Sequence, residues 1–341
     1  MSGGIFENRS DNQNYPNTNK TECHFFAIAM PVYNRGSEFI ERAINCVLNQ
    51  SFEDWILCIV DDNSDESERV KTRLIQNKYE HNKKIWWFYH SENMGANVAR
   101  NTAIRETNSK YLAFLDSDDE WDEKYLERIA VKLIGDKTIG LISTSYFVCH
   151  ENGLKTLHKT LELNGNIYTQ ELERDLLSPT SAIVASREII NTIGGFDESL
   201  PARQDYDTWI RMFEKGCLME NIQEPLVIVH REGHESISSS YQRHIDGTKI
   251  IYEKILTNKH ILPSLKNKAC GSQLSYISSI YASKGELIVG FNYLIRSLSH
   301  CKNPRAIYQY LRGLSIYIVK KWLPINVERG LVVIYYKLKY A

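Results

Sequence analysis

Four short polar clusters, each following an apolar run, carry most of the chemistry available to this chain. The run Tyr111-Leu112-Ala113-Phe114-Leu115 leads directly into Asp116-Ser117-Asp118-Asp119. Alternation along an extended chain places Asp116 and Asp118 on the same side. Paired carboxylates of this kind are hard oxygen ligands for a divalent cation such as Mg²⁺ or Mn²⁺, which in turn holds phosphate oxygens. A capped turn, with the aspartates bonding loop amides, is the plainer use of the same residues. The acids Asp116, Asp118, Asp119 and Glu120 crowd one another in a way that a cation would relieve, which favours the metal.

The other clusters are Asp61-Asp62-Asn63-Ser64-Asp65, Pro31-Val32-Tyr33-Asn34-Arg35 and Asn93-Met94-Gly95. Asp61 and Asp62 suit a nucleotide or simply a tight turn. Tyr33, beside Pro31, offers a face on which a nucleobase stacks, or an aromatic that packs at a strand end. Gly95 permits close approach of backbone to a ligand. Arg100, on the helical segment that follows, either meets a phosphate or forms a surface salt bridge.

Such clusters make one site only if the intervening chain brings them to one edge. Apolar runs at Phe25–Pro31, Trp55–Asp61, Ile85–Tyr89, Tyr111–Leu115 and Ile139–Phe147 predict strands, and the segments between them have helical periodicity. Ile40, Ala43, Ile44, Val47 and Leu48 give Ser37–Gln50 an apolar face behind a Ser37 cap. Leu126, Ile129 and Leu133 do the same behind Asp122, with Gly135 as the stop. This βα rhythm predicts an α/β fold on a largely parallel sheet, whose ligands bind beyond the carboxyl ends of the strands. Glu151–Arg174 reads as polar and irregular. A short strand at Ser181–Ala185, Gly194-Gly195 and a helix from Asp205 to Lys215 complete one mixed sheet late in the chain. After Tyr241 the pattern is helical to the C-terminus.

Composition narrows the class. The chain has 341 residues, 43% hydrophobic and 24% charged, with a net charge of −1. These are the values of an ordinary globular protein, without the field that recruits nucleic acid. Seven scattered cysteines without a CxxC point away from a disulfide framework or zinc site and towards a reducing cytoplasm. The polar, Asn-rich start lacks the features of an export signal, and no apolar run approaches the length of a membrane span. The expected organisation is a flexible tail over 1–22, a catalytic domain over 23–240 and a helical region over 241–341.

As an ordered set, Pro31-Val32-Tyr33-Asn34-Arg35, Val60-Asp61-Asp62-Asn63-Ser64-Asp65, Asn93-Met94-Gly95 with Ala99-Arg100-Asn101, and Phe114-Leu115-Asp116-Ser117-Asp118-Asp119 resemble the family 2 glycosyltransferases. The resemblance extends less tightly through Pro179-Thr180, Gly194-Gly195-Phe196-Asp197-Glu198, Gln204-Asp205-Tyr206-Asp207 and His234-Glu235-Ser236-Ile237-Ser238. It implies a GT-A fold, a Rossmann-like mixed sheet with helices on both faces. It also implies inverting transfer of a sugar from a nucleotide diphosphate donor, usually a UDP-sugar, to an acceptor hydroxyl. By that analogy Pro31, Tyr33 and Asp62 hold the base, with Asn34, Arg35, Asp61, Gly95, Arg100 and Ser117 around the donor. Asp116 takes the ribose, and Asp118 with His234 the Mn²⁺ or Mg²⁺. His230 is a rival to His234. Asp205 is the expected general base and Asp207 the fallback; Gln204 stands where the family has an acid.

In residues 302–341, Lys302, Arg305, Arg312, Lys320, Lys321, Arg329, Lys337 and Lys339 face Glu328 as the only acid, amid many aromatics. That composition fits helices on an anionic membrane surface, a helical subdomain or a subunit interface. The expected partners are therefore a nucleotide-sugar donor, a saccharide or lipid-linked saccharide acceptor and an anionic membrane surface, with nucleic acid excluded. The expected setting is cytoplasmic, peripheral on the inner face of the membrane. A nucleotidyltransferase is disfavoured because Pro31–Gly36 lacks a Gly-rich, basic triphosphate loop. A binding module without turnover is the other alternative.

Overall fold

The computed structural model describes residues 22–177, 179–231 and 240–322. The strands are β1 (His24–Val32), β2 (Trp55–Asp61), β3 (Ile85–Tyr89), β4 (Ser109–Phe114), β5 (Glu120–Trp121), β6 (Ile139–His150), β7 (Lys155–His158), β8 (Asn164–Gly165), β9 (Ile183–Ser186) and β10 (Leu218–Arg231). The helices are α1 (Ser37–Leu48), α2 (Glu66–Lys78), α3 (Ala96–Glu106), α4 (Tyr125–Gly135), α5 (Tyr168–Glu173), α6 (Arg187–Thr192), α7 (Gln204–Glu214), α8 (Tyr241–Thr257), α9 (Pro263–Ser283), α10 (Leu287–His300) and α11 (Pro304–Trp322).

One mixed sheet runs in the order β3-β2-β1-β4-β9-β6-β10-β5. The β3-β2-β1-β4 half is parallel, as the βα rhythm requires, and its strands are buried on both faces. The late strand β9 inserts antiparallel between β4 and β6, the mixed completion expected from the sequence. Because β1, β2 and β4 run parallel, Val32, Asp61 and Phe114 end at one edge, and the polar clusters follow from there.

Three local expectations are corrected. Ser37 does not cap α1 but opens it, with Gly36 at the cap position. Asp122 lies before α4, where its side chain accepts from the Lys124 amide and its carbonyl from that of Tyr125, so it shapes the entry turn instead of capping. Glu151–Arg174 is not irregular throughout: it contains β7 and β8, which pair with β6 and β10, and then α5. Short strands with few apolar residues have little periodic signal, and here partner strands supply the hydrogen bonds that select them.

The chain divides into two compact units, whose described residues are 22–167, 177, 179–198 and 211–231 in one, and 168–176, 199–210 and 240–322 in the other. The helical unit thus also takes two short segments that precede residue 240. In the first unit, Ile28, Met30, Leu57 and Ile59 of the sheet bury against Ile40, Ile44 and Val47 of α1. Each such aliphatic side chain contributes about 1.5–3 kcal/mol. The second unit has its own core of Leu172, Tyr206 and Ile210 with Ile251, Ile255 and Cys270. Among the described residues no helix is long and apolar enough to cross a membrane, and all seven cysteines are free.

Candidate active site

At the C-terminal edge of the sheet, Asn34 staples the first loop to the second. Its amide donates to Ser64 Oγ at 2.9 Å, its Nδ2 donates to Asp65 Oδ2 at 2.9 Å, and the Asp65 amide returns a bond to Asn34 Oδ1 at 2.7 Å. Asn34 and Asn63 both hold positive φ, +45° and +60°, a conformation that Asn tolerates better than most residues. Pro31 lies within β1 opposite Val60, while Tyr33 stands exposed at the rim.

The two adjacent aspartates differ in what they bond. Asp62 Oδ1 accepts from the Met94 amide at 3.0 Å and pairs with His90 Nδ1 at 2.7 Å, and its Oδ2 accepts from the Gly95 amide at 2.6 Å. Its carboxylate is committed to the loop that leads into α3. Asp61 Oδ1 accepts from the Ser64 amide at 2.7 Å, whereas its buried Oδ2 has no hydrogen-bond partner. Burial raises the Asp61 pKa. Gly95 turns at φ +96° and is the cap position of α3.

Three arginines reach the acidic cluster after β4. Arg100, almost fully buried on α3, donates from Nη2 to Asp116 Oδ1 at 2.5 Å. Arg35 Nη2 meets Asp118 Oδ2 at 3.0 Å, and Arg42 Nη2 donates to the Asp118 carbonyl at 2.7 Å. Burial pushes the Asp118 carboxyl up, Arg35 opposes this and Asp116 adds to it. Ser117, between the two aspartates, is buried.

The remaining acids of the cluster have protein partners, which narrows the case for a cation. Asp119 Oδ2 accepts from the Ser181 hydroxyl at 2.6 Å and its Oδ1 from the His230 amide at 3.1 Å. Burial raises its pKa well above the usual carboxylate range, followed by repulsion from Asp118 and Asp116. Glu120 Oε1 pairs with His230 Nε2 at 2.6 Å, and that bond is the main reason its pKa is lowered. His230 therefore sits on β10 beside Glu120. Asp116 and Asp118, paired with Arg100 and Arg35 but partly exposed at 36% and 23%, are the hard oxygen donors that would suit a divalent cation. Among the described residues no three Asp, Glu, His or Cys side chains gather to hold a metal unaided, and His234 lies outside those residues.

Buried on nearly every side, α3 organises a second loop as well. Asn101 Nδ2 donates to the Phe196 carbonyl at 2.9 Å while its Oδ1 accepts from the Phe196 amide at 2.9 Å. Asn97 Nδ2 donates to the Asp197 carbonyl at 3.0 Å. Gly195 is confined to glycine by φ +80° and by Asn101, whose Oδ1 would lie 2.6 Å from an added Cβ. His90, Arg42, Ser181 and the linking role of Asn101 escape the sequence reading. The polar-cluster signal marks loops after strands, whereas Arg42 and Asn101 lie on helices and Ser181 just before β9; His90 does follow β3, but its partners Asp62 and Thr102 are set only by the fold.

The second unit carries the head of α7. Asp205 is half-buried in the first helical turn, with Oδ1 accepting from the Tyr206 amide at 2.9 Å. Asp207 is buried and pairs with Lys254 Nζ at 2.6 Å. Just before them, Arg203 holds φ +61°. Its guanidinium lies between the Tyr206 and Tyr276 rings, 4.3 and 4.5 Å from their centroids, and donates to Gln273 Oε1 at 2.7 Å. A chain tied this firmly fixes the start of the helix on which Asp205 sits.

Comparison with known proteins agrees with this architecture. The description Glycosyl transferase family 2 fits residues 27–191. The chain is 29% identical over 230 residues to the putative teichuronic acid biosynthesis glycosyltransferase TuaG of Bacillus subtilis (strain 168), covering 67% of this chain and 87% of that protein. It is 29% identical over 176 residues to the UDP-Glc:alpha-D-GlcNAc-diphosphoundecaprenol beta-1,3-glucosyltransferase WfgD of Escherichia coli, covering 46% of this chain and 64% of that one. The crystal structure of S. aureus TarS 1-349 in complex with UDP-GlcNAc is similar in fold, with a TM-score of 0.64 and 16% identity, over 86% of this chain and 90% of that one. Residues 27–191 match glycosyl transferase family 2, and the protein is a glycosyltransferase.

Proposed function

We propose that the protein transfers a sugar from a UDP-sugar, with inversion at the anomeric carbon, to a hydroxyl of a saccharide or lipid-linked saccharide during surface-polysaccharide assembly. The observation that carries this is the edge constellation of Asp61 at the end of β2, Asp116 and Asp118 after β4, Arg35 after β1 and Arg100 on α3. Relatives named for teichuronic acid synthesis and for a diphosphoundecaprenol-linked acceptor support the acceptor class, and the UDP-GlcNAc complex of a protein with this fold supports the donor. Free cysteines suit a cytoplasmic setting.

In this reading Tyr33 stacks on the base, and Asp61, with acceptor capacity to spare, takes its imino N–H. Asp62 acts indirectly by holding Met94 and Gly95 in place. Asp116 receives the ribose hydroxyls, and Asp118 together with Asp116 would hold Mg²⁺ or Mn²⁺. A bound cation supplies Lewis-acid stabilisation of the departing diphosphate. Asp205 accepts the proton of the acceptor hydroxyl as that oxygen bonds to the anomeric carbon. The bond from that carbon to the β-phosphate oxygen breaks, and its electron pair leaves on UDP.

Calorimetric titration with UDP, GDP, CDP and TDP, with and without Mn²⁺, tests the donor site. UDP binding that needs both the cation and Asp118, and is lost in Asp118→Ala, is the expected result. Absence of metal-dependent binding to all four nucleotides overturns the reading.

A further inference from the structure

The second unit presents an apolar surface that its own core leaves uncovered. Helices α10 and α11 each bury one side against α9, through Leu294 and Ser297 of α10 and Ala306 and Gly313 of α11. The packing is close: Ser297 Oγ donates to the Gly271 carbonyl at 2.7 Å, and Ser278 Oγ to the Gly290 carbonyl at 2.7 Å. On other positions of the same helices large apolar side chains face outwards. Ile288, Phe291 and Ile295 recur at helical spacing on α10, as do Ile307, Leu311 and Ile318 on α11, and Ile288 is 81% exposed. The two rows adjoin, since the Phe291 ring lies edge-on to Tyr310 at 6.1 Å and the Tyr310 hydroxyl donates to the Leu287 carbonyl at 3.3 Å. Single exposed aliphatics are ordinary, but a set shared by two adjoining helices marks a docking surface.

Charge identifies the occupant. From Leu287 to Trp322 there is no Asp or Glu, while Arg296, Lys302, Arg305, Arg312, Lys320 and Lys321 are present. A second copy would bring an equally basic face against this one. Residues 323–341 carry Arg329, Lys337 and Lys339 against Glu328, so they cannot neutralise it either. The fitting partner is apolar in depth and negative at its surface.

We propose that the α10–α11 face docks on an anionic lipid bilayer. The exposed aliphatic and aromatic side chains enter the boundary between headgroups and acyl chains, and Arg296, Lys302, Arg305 and Lys321 meet lipid phosphates. With no described helix able to span, the protein lies on the bilayer by this face. This face is built from residues of the second unit and the donor assignment from residues of the first, so the proposal stands or falls independently of that assignment.

Sedimentation of the full-length chain with phosphatidylglycerol–phosphatidylcholine vesicles, and with pure phosphatidylcholine vesicles, tests the proposal. The expected result is a preference of roughly ten-fold or more for the anionic vesicles, weakened by salt, because each basic residue near the surface adds attraction. The double variant Phe291→Glu/Leu311→Glu loses most of this binding while keeping its nucleotide titration. Should that variant fold poorly, Lys302→Glu/Arg305→Glu abolishes the preference for anionic lipid by charge alone. No vesicle binding, equal binding to both vesicle types, or binding undiminished in the folded variants overturns the proposal. So does light scattering that shows a dimer dissolved by Phe291→Glu, which assigns the face to a second copy.

Discussion

Arg35 Nη2 lies 3.0 Å from Asp118 Oδ2 and joins the loop after β1 to the loop after β4. The pair is partly exposed, so its consequence lies in the chemistry of the site more than in stability. Replacing Arg35 with Met removes the cation that opposes the raised pKa of Asp118. Nucleotide affinity in the presence of Mn²⁺ is expected to fall about ten-fold or more, with an unchanged melting temperature, since charge-assisted bonds contribute about 1.5–3 kcal/mol. Parallel titration and thermal melts read the two effects apart; unchanged affinity removes Arg35 from the donor site.

The neighbouring aspartates separate stability from binding. Asp62→Asn strips a carboxylate from the Met94 and Gly95 amides and from His90, in a site that is 2% exposed. The expected cost is about 3–5 kcal/mol, seen as a lower urea midpoint. Asp61→Asn keeps an acceptor for the Ser64 amide and relieves a buried acid, so its midpoint holds while UDP affinity drops. Equal destabilisation by both substitutions contradicts this division of roles.

Gly195 and Asn101 form one clamp. Gly195→Ala sets a Cβ against Asn101 Oδ1 at a residue with φ +80°, and about 1–3 kcal/mol of destabilisation is expected. Asn101→Ala leaves the Phe196 peptide without its side-chain partner and costs a similar amount. The double variant should cost less than the sum, because removing Asn101 clears the space into which the Cβ intrudes.

His244 predicts a pH dependence. Burial, followed by repulsion from Arg203, lowers its pKa, while Asp205 opposes the shift. The folded state therefore resists protonation: the stability tied to neutral His244 is fully present above the unfolded value of about 6.5 and is lost as pH falls through the folded pKa. The stability of the wild type relative to His244→Asn should then decline on acidification below about pH 6.5. Urea denaturation of both proteins across that range checks it, and a difference that grows on acidification reverses the sign and refutes it.

Asp205→Asn tests the proposed base. Transfer is expected to fall by about 10²–10⁴-fold while UDP titration is unchanged, which is the signature of a lost proton acceptor with an intact donor site. Asp207→Asn instead breaks the Lys254 ion pair, so its main effect should be on the stability of the second unit.

Much of this architecture is legible in the linear chain because its signals are local. Apolar runs of strand length, helical spacing at Ile40, Ile44 and Val47, and acids directly after apolar residues each report on a few consecutive positions. On that basis the sequence by itself determines the parallel sheet, the late mixed completion, the helical C-terminal region and the loops that carry Asp61, Asp116 and Asp118. The short pairing strands within 151–174 and the sharing of α7 between two units leave no such trace. Tertiary structure alone decides that Asp62 serves the 94–95 loop while Asp61 retains an unbonded oxygen, and that Ser181 and His230 occupy Asp119. It likewise decides that, among the described residues, large apolar side chains on the outer sides of α10 and α11 stay exposed. The physical reason is the same in each case. A carboxylate's partner, or an aliphatic side chain's exposure, depends on residues scores of positions away, and those come within reach only when the sheet closes and the helices pack.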